Sequence, residues 1–148
     1  MSVRRLLVAT AAGAALAACV RAPDPPEPPP IFGVGSTAAL GETVATGSVT
    51  LTPLRILEDS RCPASVQCVR AGTVRLAVRA DAQGRSREIV LPLDEPQQVW
   101  PGTWVLLAAV CPHPLSPGQI PTEAYRFTFS LGLGAPPPPY DFSCPSAP

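Results

Sequence analysis

The chain has 148 residues, 46% of them hydrophobic and 15% charged, which suits one modest domain. Its 11 basic and 11 acidic side chains cancel and no Lys/Arg cluster occurs, which argues against a nucleic-acid partner, because the charge attraction that drives such binding is missing. Twenty-one prolines are roughly three times the usual share of about 5%, which argues against a mostly helical fold.

Residues 1–19 begin with Arg4 and Arg5, continue as an apolar run from Leu6 to Ala17, and end in Leu16-Ala17-Ala18-Cys19. A basic start, a short apolar run and small residues together read as a secretory signal. The run has about twelve residues where a membrane-spanning helix needs roughly twenty, so it is a targeting segment and not an anchor. Leu16-Ala17-Ala18-Cys19 resembles the lipobox of bacterial lipoproteins. The resemblance implies that the Cys19 thiol takes a diacylglyceryl group, that residues 1–18 are removed, and that Cys19 becomes an acylated first residue. Each buried CH₂ adds about 0.8 kcal/mol, so two or three chains hold a protein firmly to a membrane. Val20 stands where the family's retention signal has Asp, which implies the outer membrane, facing the periplasm. Removal of Arg4 and Arg5 leaves nine Arg against eleven acids, a net charge of −2, so membrane contact is expected through lipid on Cys19 and not through charge.

Residues 21–30 hold six prolines and can be neither helix nor central strand. As polyproline II they form a semi-rigid spacer of roughly 30 Å. The expected domain spans residues 31–133. A second proline-rich stretch, 134–148, contains Ala-Pro-Pro-Pro-Pro-Tyr and is expected to be tied back to the core by Cys144.

Within the domain the signal has period two, the mark of half-buried strands. Val74, Leu76 and Val78 alternate with polar or small residues over Thr73–Ala80, and Tyr125, Phe127, Phe129 and Leu131 do so over Tyr125–Leu131. Further strands are predicted at Ser48–Leu57, bent at Pro53, at Arg87–Leu91 and at Thr103–Val110, with weaker ones at Thr37–Leu40 and Gln97–Trp100. Asp81-Ala82-Gln83-Gly84 supplies a hairpin turn. No stretch after the signal keeps a helical period, so the expected fold is all-β, an antiparallel sandwich or small barrel of six to seven strands.

With Cys19 set aside for lipid, Cys62, Cys68, Cys111 and Cys144 remain, an even number in an exported chain, which reads as two disulfides. Of the three pairings, Cys62 with Cys68 and Cys111 with Cys144 is preferred: the first closes a short loop and the second pins the tail. The competing use is zinc, held by Cys62, Cys68, Cys111 and His113, but the ligand spacings miss the usual pattern. Asp59-Ser60-Arg61-Cys62-Pro63, Cys68 and Ala71-Gly72 resemble a motif of uncharacterised bacterial exported proteins. That resemblance, over roughly residues 37–131, implies a compact β domain with a local disulfide. Arg70 stands where the group has Trp.

Catalytic machinery is not legible. His113 is the only histidine and sits between two prolines, and the carboxylate pairs Glu58-Asp59 and Asp94-Glu95 fall at strand ends or turns. Two features suit binding. A loop preorganised by Cys62, Cys68 and Pro63 and flanked by Arg61 and Arg70 loses little entropy on docking, although the preferred reading is that Asp59 and Arg61 brace a corner between strands. Trp100 and Trp104 bracket Pro101-Gly102 and would stack on sugar rings or form an interface if exposed side by side; otherwise they belong to the core. The expected function is a lipid-anchored cell-envelope binding or structural module, not an enzyme and without a cofactor or metal, whose partner is an envelope protein or cell-wall glycan. The alternative is an inhibitor of a secreted hydrolase acting through the Cys62 to Cys68 loop.

Overall fold

The computed structural model describes residues 31–139 together with Phe142 and Cys144. The expected signal, the lipid site at Cys19 and the spacer lie outside the described residues. Eight strands form: β1 (Ile31–Ala38), β2 (Val44–Thr46), β3 (Val49–Asp59), β4 (Val74–Ala82), β5 (Arg85–Pro92), β6 (Gln97–Trp100), β7 (Thr103–Cys111) and β8 (Arg126–Leu133), with one 3₁₀ turn at Thr122–Ala124. They make two four-stranded antiparallel sheets, β1-β8-β7-β6 (sheet A) and β2-β3-β4-β5 (sheet B). The sheets do not close into a barrel, so the fold is a sandwich.

Alternation explains the core. Val74, Leu76, Val78 and Ala80 of β4 and Phe127, Phe129 and Leu131 of β8 turn one face of each sheet inward and are buried together with Val49, Leu51 and Leu91. In β7, Val105 and Leu107 face the core, and a register shift between Leu107 and Ala109 returns Val110 to the same side. Beside Pro53, β3 shifts register between Pro53 and Arg55, and β2 stops short of it, pairing only Val49–Leu51. Proline is tolerated there because no ladder partner needs its missing N–H; its carbonyl accepts from the Gly41 amide at 2.7 Å.

The strand count exceeds the expected six to seven because three-residue β2 is too short to show alternation. β1 starts at Ile31, six residues before the predicted Thr37, and Leu40 falls in a turn. Gly33 and Gly35 mask the early start, since glycine weakens a strand unless something approaches closely. A β-carbon at Gly35 would lie 2.7 Å from Thr128 and 2.9 Å from the Phe142 ring, so close approach is the reason. The β4–β5 turn is tighter than predicted: Asp81 and Ala82 pair with Ser86 and Arg85, leaving Gln83 (φ 50) and Gly84 (φ 72) as the two-residue loop, with the positive φ values of a type I′ turn.

The two disulfides join Cys62 to Cys68 and Cys111 to Cys144. The second fastens a third layer. Leu106 and Ser130 lie between inward-facing neighbours and so point away from the core, yet both are buried. The described residues of the C-terminal strap lie against this face, where a β-carbon at Gly132 would meet Ala135 and Pro137 and one at Gly35 would meet Phe142. The Gly134 amide donates to the Gly102 carbonyl at 2.8 Å at one end, Pro137 is buried midway, and Cys144 is bonded to Cys111 at the other.

Candidate functional site

β3 ends, β7 ends and β8 begins at one pole of the sandwich, where Asp59 pairs with Val74 and Cys111 with Arg126. An open groove of about 400 Å³ lies there, lined by Ile56, Leu57, Pro63, Pro114, Ile120 and Tyr125, with Asp59 and Arg61 at its side.

Asp59 and Arg61 are committed to each other, while Glu58, which also lines the groove, accepts from the Ser60 hydroxyl at 3.0 Å. Arg61 donates to Asp59 from Nε at 2.9 Å, from Nη2 at 2.7 Å and from its main-chain amide at 3.2 Å, and from Nη1 to the Val110 carbonyl on β7. Tyr125 donates from its hydroxyl to Asp59 Oδ2 at 2.7 Å, and its ring stacks on Phe127 with centroids 5.8 Å apart. The Arg61 and Asp59 side chains are only 6% and 14% exposed. Burial pushes the Asp59 carboxyl up, but the hydrogen bonds from Arg61 and Tyr125 and the Arg61 charge outweigh it and hold the group below its ordinary 3.8. Burial, then the hydrogen bond to Asp59 and its charge, push the Tyr125 phenol up to about 12.

The rest of the Asp59-to-Gly72 motif serves the same corner. The Ser60 amide donates to the Thr73 carbonyl at 2.8 Å, and the Thr73 amide donates to Ser60 Oγ at 3.1 Å. A β-carbon at Gly72 would lie 1.5 Å from the Ser60 carbonyl oxygen, so only glycine fits. The Cys62–Cys68 loop is fixed a second time, since the Ala64 and Ser65 amides donate to the Pro114 and Leu115 carbonyls at 2.9 and 3.0 Å. Its outer side presents Val66, Val69 and Arg70, all exposed, and Leu115 is exposed beside it.

The sequence-level candidates therefore separate. Arg61 is turned inward as a brace, while Arg70, nine positions further along, is open to solvent. Trp100 packs at the edge of the core under the Arg85 guanidinium, 5.1 Å from its ring centroid. Trp104, opposite Gly132, alternates with Val105 and so falls on the outer face of sheet A. The two indoles sit on opposite faces and form no shared platform. Cys62, Cys68 and Cys111 are all in disulfides, which leaves His113, exposed in its loop, without the thiolates the zinc reading requires. The groove itself and the apolar side chains Leu57 and Leu115 carried no sequence signal, because they meet only through the fold. No known protein family, curated protein or solved structure matches the chain.

Proposed function

We propose that the protein is a lipid-anchored module of the cell envelope, held to the outer membrane through Cys19, that binds a protein partner without catalysis through the pole carrying the Cys62–Cys68 loop. One observation carries this reading. Of the five large hydrophobic side chains exposed among the described residues, four, Leu57, Val66, Val69 and Leu115, belong to segments that meet at this pole. Exposed apolar side chains gathered on a rigid support suit a docking surface. The loop is closed by a disulfide and stitched to residues 114–115, so little chain entropy is lost on contact.

Two further observations support parts of the reading. The acid and base beside the groove are matched to each other, with Asp59 held low and Tyr125 held high, and neither is poised to exchange a proton near neutrality. The split tryptophans favour a protein partner over a glycan. The same rigid loop also favours the inhibitor reading, in which Val69 and Arg70 enter the cleft of a secreted hydrolase. The Asp59-to-Gly72 motif, a corner in this fold, is the basis for placing the core with the exported proteins it resembles.

The test immobilises residues 20–148 and exposes them to envelope extract and purified cell wall. A retained protein that is lost on Val69→Asp and on Leu115→Asp, with an unchanged thermal midpoint, supports the reading. Retention indifferent to both changes moves the site elsewhere, and inhibition of a hydrolase by the soluble domain selects the second reading.

A further inference from the structure

Residues 64–71 of the pole loop are exposed in succession, and Val69 is fully so. The chain bends at Val69 and Arg70, so the pair forms the crest of the loop. Arg70 is the only charged residue from Cys62 to Thr73. It makes neither a hydrogen bond nor an ion pair among the described residues. The other arginines of the described residues lie in strands or, like Arg61, are turned inward. A free guanidinium at the crest of a fixed loop suits a pocket with a carboxylate at its base, where its charge and its two-pronged geometry are both matched.

The crest is held on both flanks by the same three residues. On one side Cys68 is bonded to Cys62. On the other, the Thr73 amide donates to Ser60 Oγ, the Ser60 amide donates to the Thr73 carbonyl, and Gly72 packs so closely that a β-carbon there would strike the Ser60 carbonyl oxygen. Arg61, between the two clamps, is locked to Asp59 and Val110. The corner is therefore the foundation of the loop, and only Val69, Arg70 and Ala71 lie free between the clamps. A peptide bond within so short a span can be cut without its ends parting. The carboxylate of Arg70 would stay two residues from Cys68 and the amine of Ala71 one residue from Gly72, so re-forming the bond needs no search through space.

We propose that the protein partner of this pole is an arginine-specific serine endopeptidase, which takes Arg70 in its specificity pocket and meets Arg70–Ala71 as a bond that it opens and closes again. The proposal names the partner for the docking surface described above and rests on that reading. The serine oxygen of the protease bonds to the Arg70 carbonyl carbon, the Arg70–Ala71 C–N bond breaks, and the Ala71 amine leaves with the proton taken from the serine. From an ordinary substrate the amine diffuses away and water hydrolyses the acyl-enzyme. Here the amine is retained through Gly72 and Thr73, and its attack on the acyl carbon restores both the peptide bond and the serine hydroxyl. The protease stays occupied and is inhibited. Val66, Val69 and Leu115 lie against the rim of its cleft and add apolar contact around the arginine.

The test titrates trypsin, whose specificity pocket is acidic, with residues 20–148 and reads the hydrolysis of a small chromogenic arginine substrate. Inhibition should be stoichiometric, and long incubation should convert only part of the chain to a form cut at Arg70–Ala71. The two pieces share no disulfide, since Cys62–Cys68 precedes the cut and Cys111–Cys144 follows it, so a denaturing gel without reductant counts cut and intact chains. A cut after Arg21 removes only residues 20 and 21 and is told apart by mass. The isolated cut form should return to the same mixture with fresh trypsin. Arg70→Ala should weaken inhibition on the order of a thousandfold, Arg70→Lys should keep it, and Arg70→Leu should transfer it to chymotrypsin, whose pocket is apolar, all with an unchanged thermal midpoint. No inhibition by the unaltered chain, rapid cutting to completion, or inhibition that survives Arg70→Ala overturns the proposal. Should trypsin be unaffected while an envelope protein is still captured and lost on Val69→Asp, this partner is wrong and the docking surface stands; should capture and inhibition both fail, both readings fall.

Discussion

Removing the Arg61 guanidinium would leave the Asp59 carboxylate 14% exposed with only Tyr125 beside it, and the Val110 carbonyl without its donor. A buried pair broken from one side costs about 3–5 kcal/mol, so Arg61→Ala should lower the denaturation midpoint strongly, as chemical unfolding would show. A near-neutral result would return Arg61 to the binding surface. Acid and alkali should unpick the same corner from opposite sides. Asp59 is held below 3.8 in the fold, so its contribution is complete above that pH and fades as pH falls beneath it. Tyr125 is raised from 10.0 to about 12, so its contribution is complete below 10.0 and fades as pH climbs toward the higher value. Tyr125→Phe should abolish the alkaline step while leaving a weakened acid step, and thermal unfolding across the pH range measures both. A wild-type protein with no alkaline loss would contradict the Tyr125–Asp59 bond.

Among the elements, the open side between β5 and β6 shows how charges can guard an edge. Arg85 and Arg87 share the parity of Ile89 and Leu91, which face the core, so both arginines point into the gap between the sheets. Arg87 Nη1 donates to the Val99 carbonyl on β6 at 2.6 Å, and Arg85 lies over Trp100. Inward-pointing charge is a known defence of an edge strand against pairing with another chain. Arg87→Ala should therefore raise the fraction of dimer or larger species in light scattering while costing only about 1 kcal/mol; a strictly monomeric variant would show that the edge needs no guard. This device was invisible in the sequence, where Arg87 opens a predicted strand like any polar residue. What was legible follows a rule of reach. β4 and β8 announce themselves because each carries several alternations, and the cysteine pairing was readable because one loop is short and the tail needs a pin. Arg61, by contrast, remained a candidate docking residue beside its preferred corner role, since Val110, which it bonds, is 49 positions away and Tyr125, which bonds Asp59, is 66 positions from Asp59. The groove depends on the same kind of long-range meeting, and so does the burial of Leu106 beneath the strap.

At the scale of the whole molecule, polarity along the strands separates what holds the protein from what it offers. β1 runs from Ile31, beside Leu133 and the Gly102 turn, to Ala38 beside Phe127, so the chain enters the sandwich at one pole and the Cys62–Cys68 loop projects from the other. Eight strand residues separate the two by about 23 Å. Under the proposed lipid anchoring at Cys19, attachment is at the pole opposite Val66, Val69 and Leu115, and the proposal then points those side chains away from the lipid. Apolar side chains near a bilayer dip into it, whereas the same side chains held on the far pole wait for a protein. The two cases separate in vesicles bearing the lipidated protein, with a fluorophore introduced at residue 69 as an unnatural amino acid and a quencher carried on the lipid acyl chains. Emission from residue 69 should be unaffected by the quencher, while a fluorophore at residue 101, on the entry pole, should sense it more strongly. Quenching that is greater at residue 69 would mean that the protein lies inverted on its tether, with the Cys62–Cys68 loop acting as a second membrane contact and not as a docking surface.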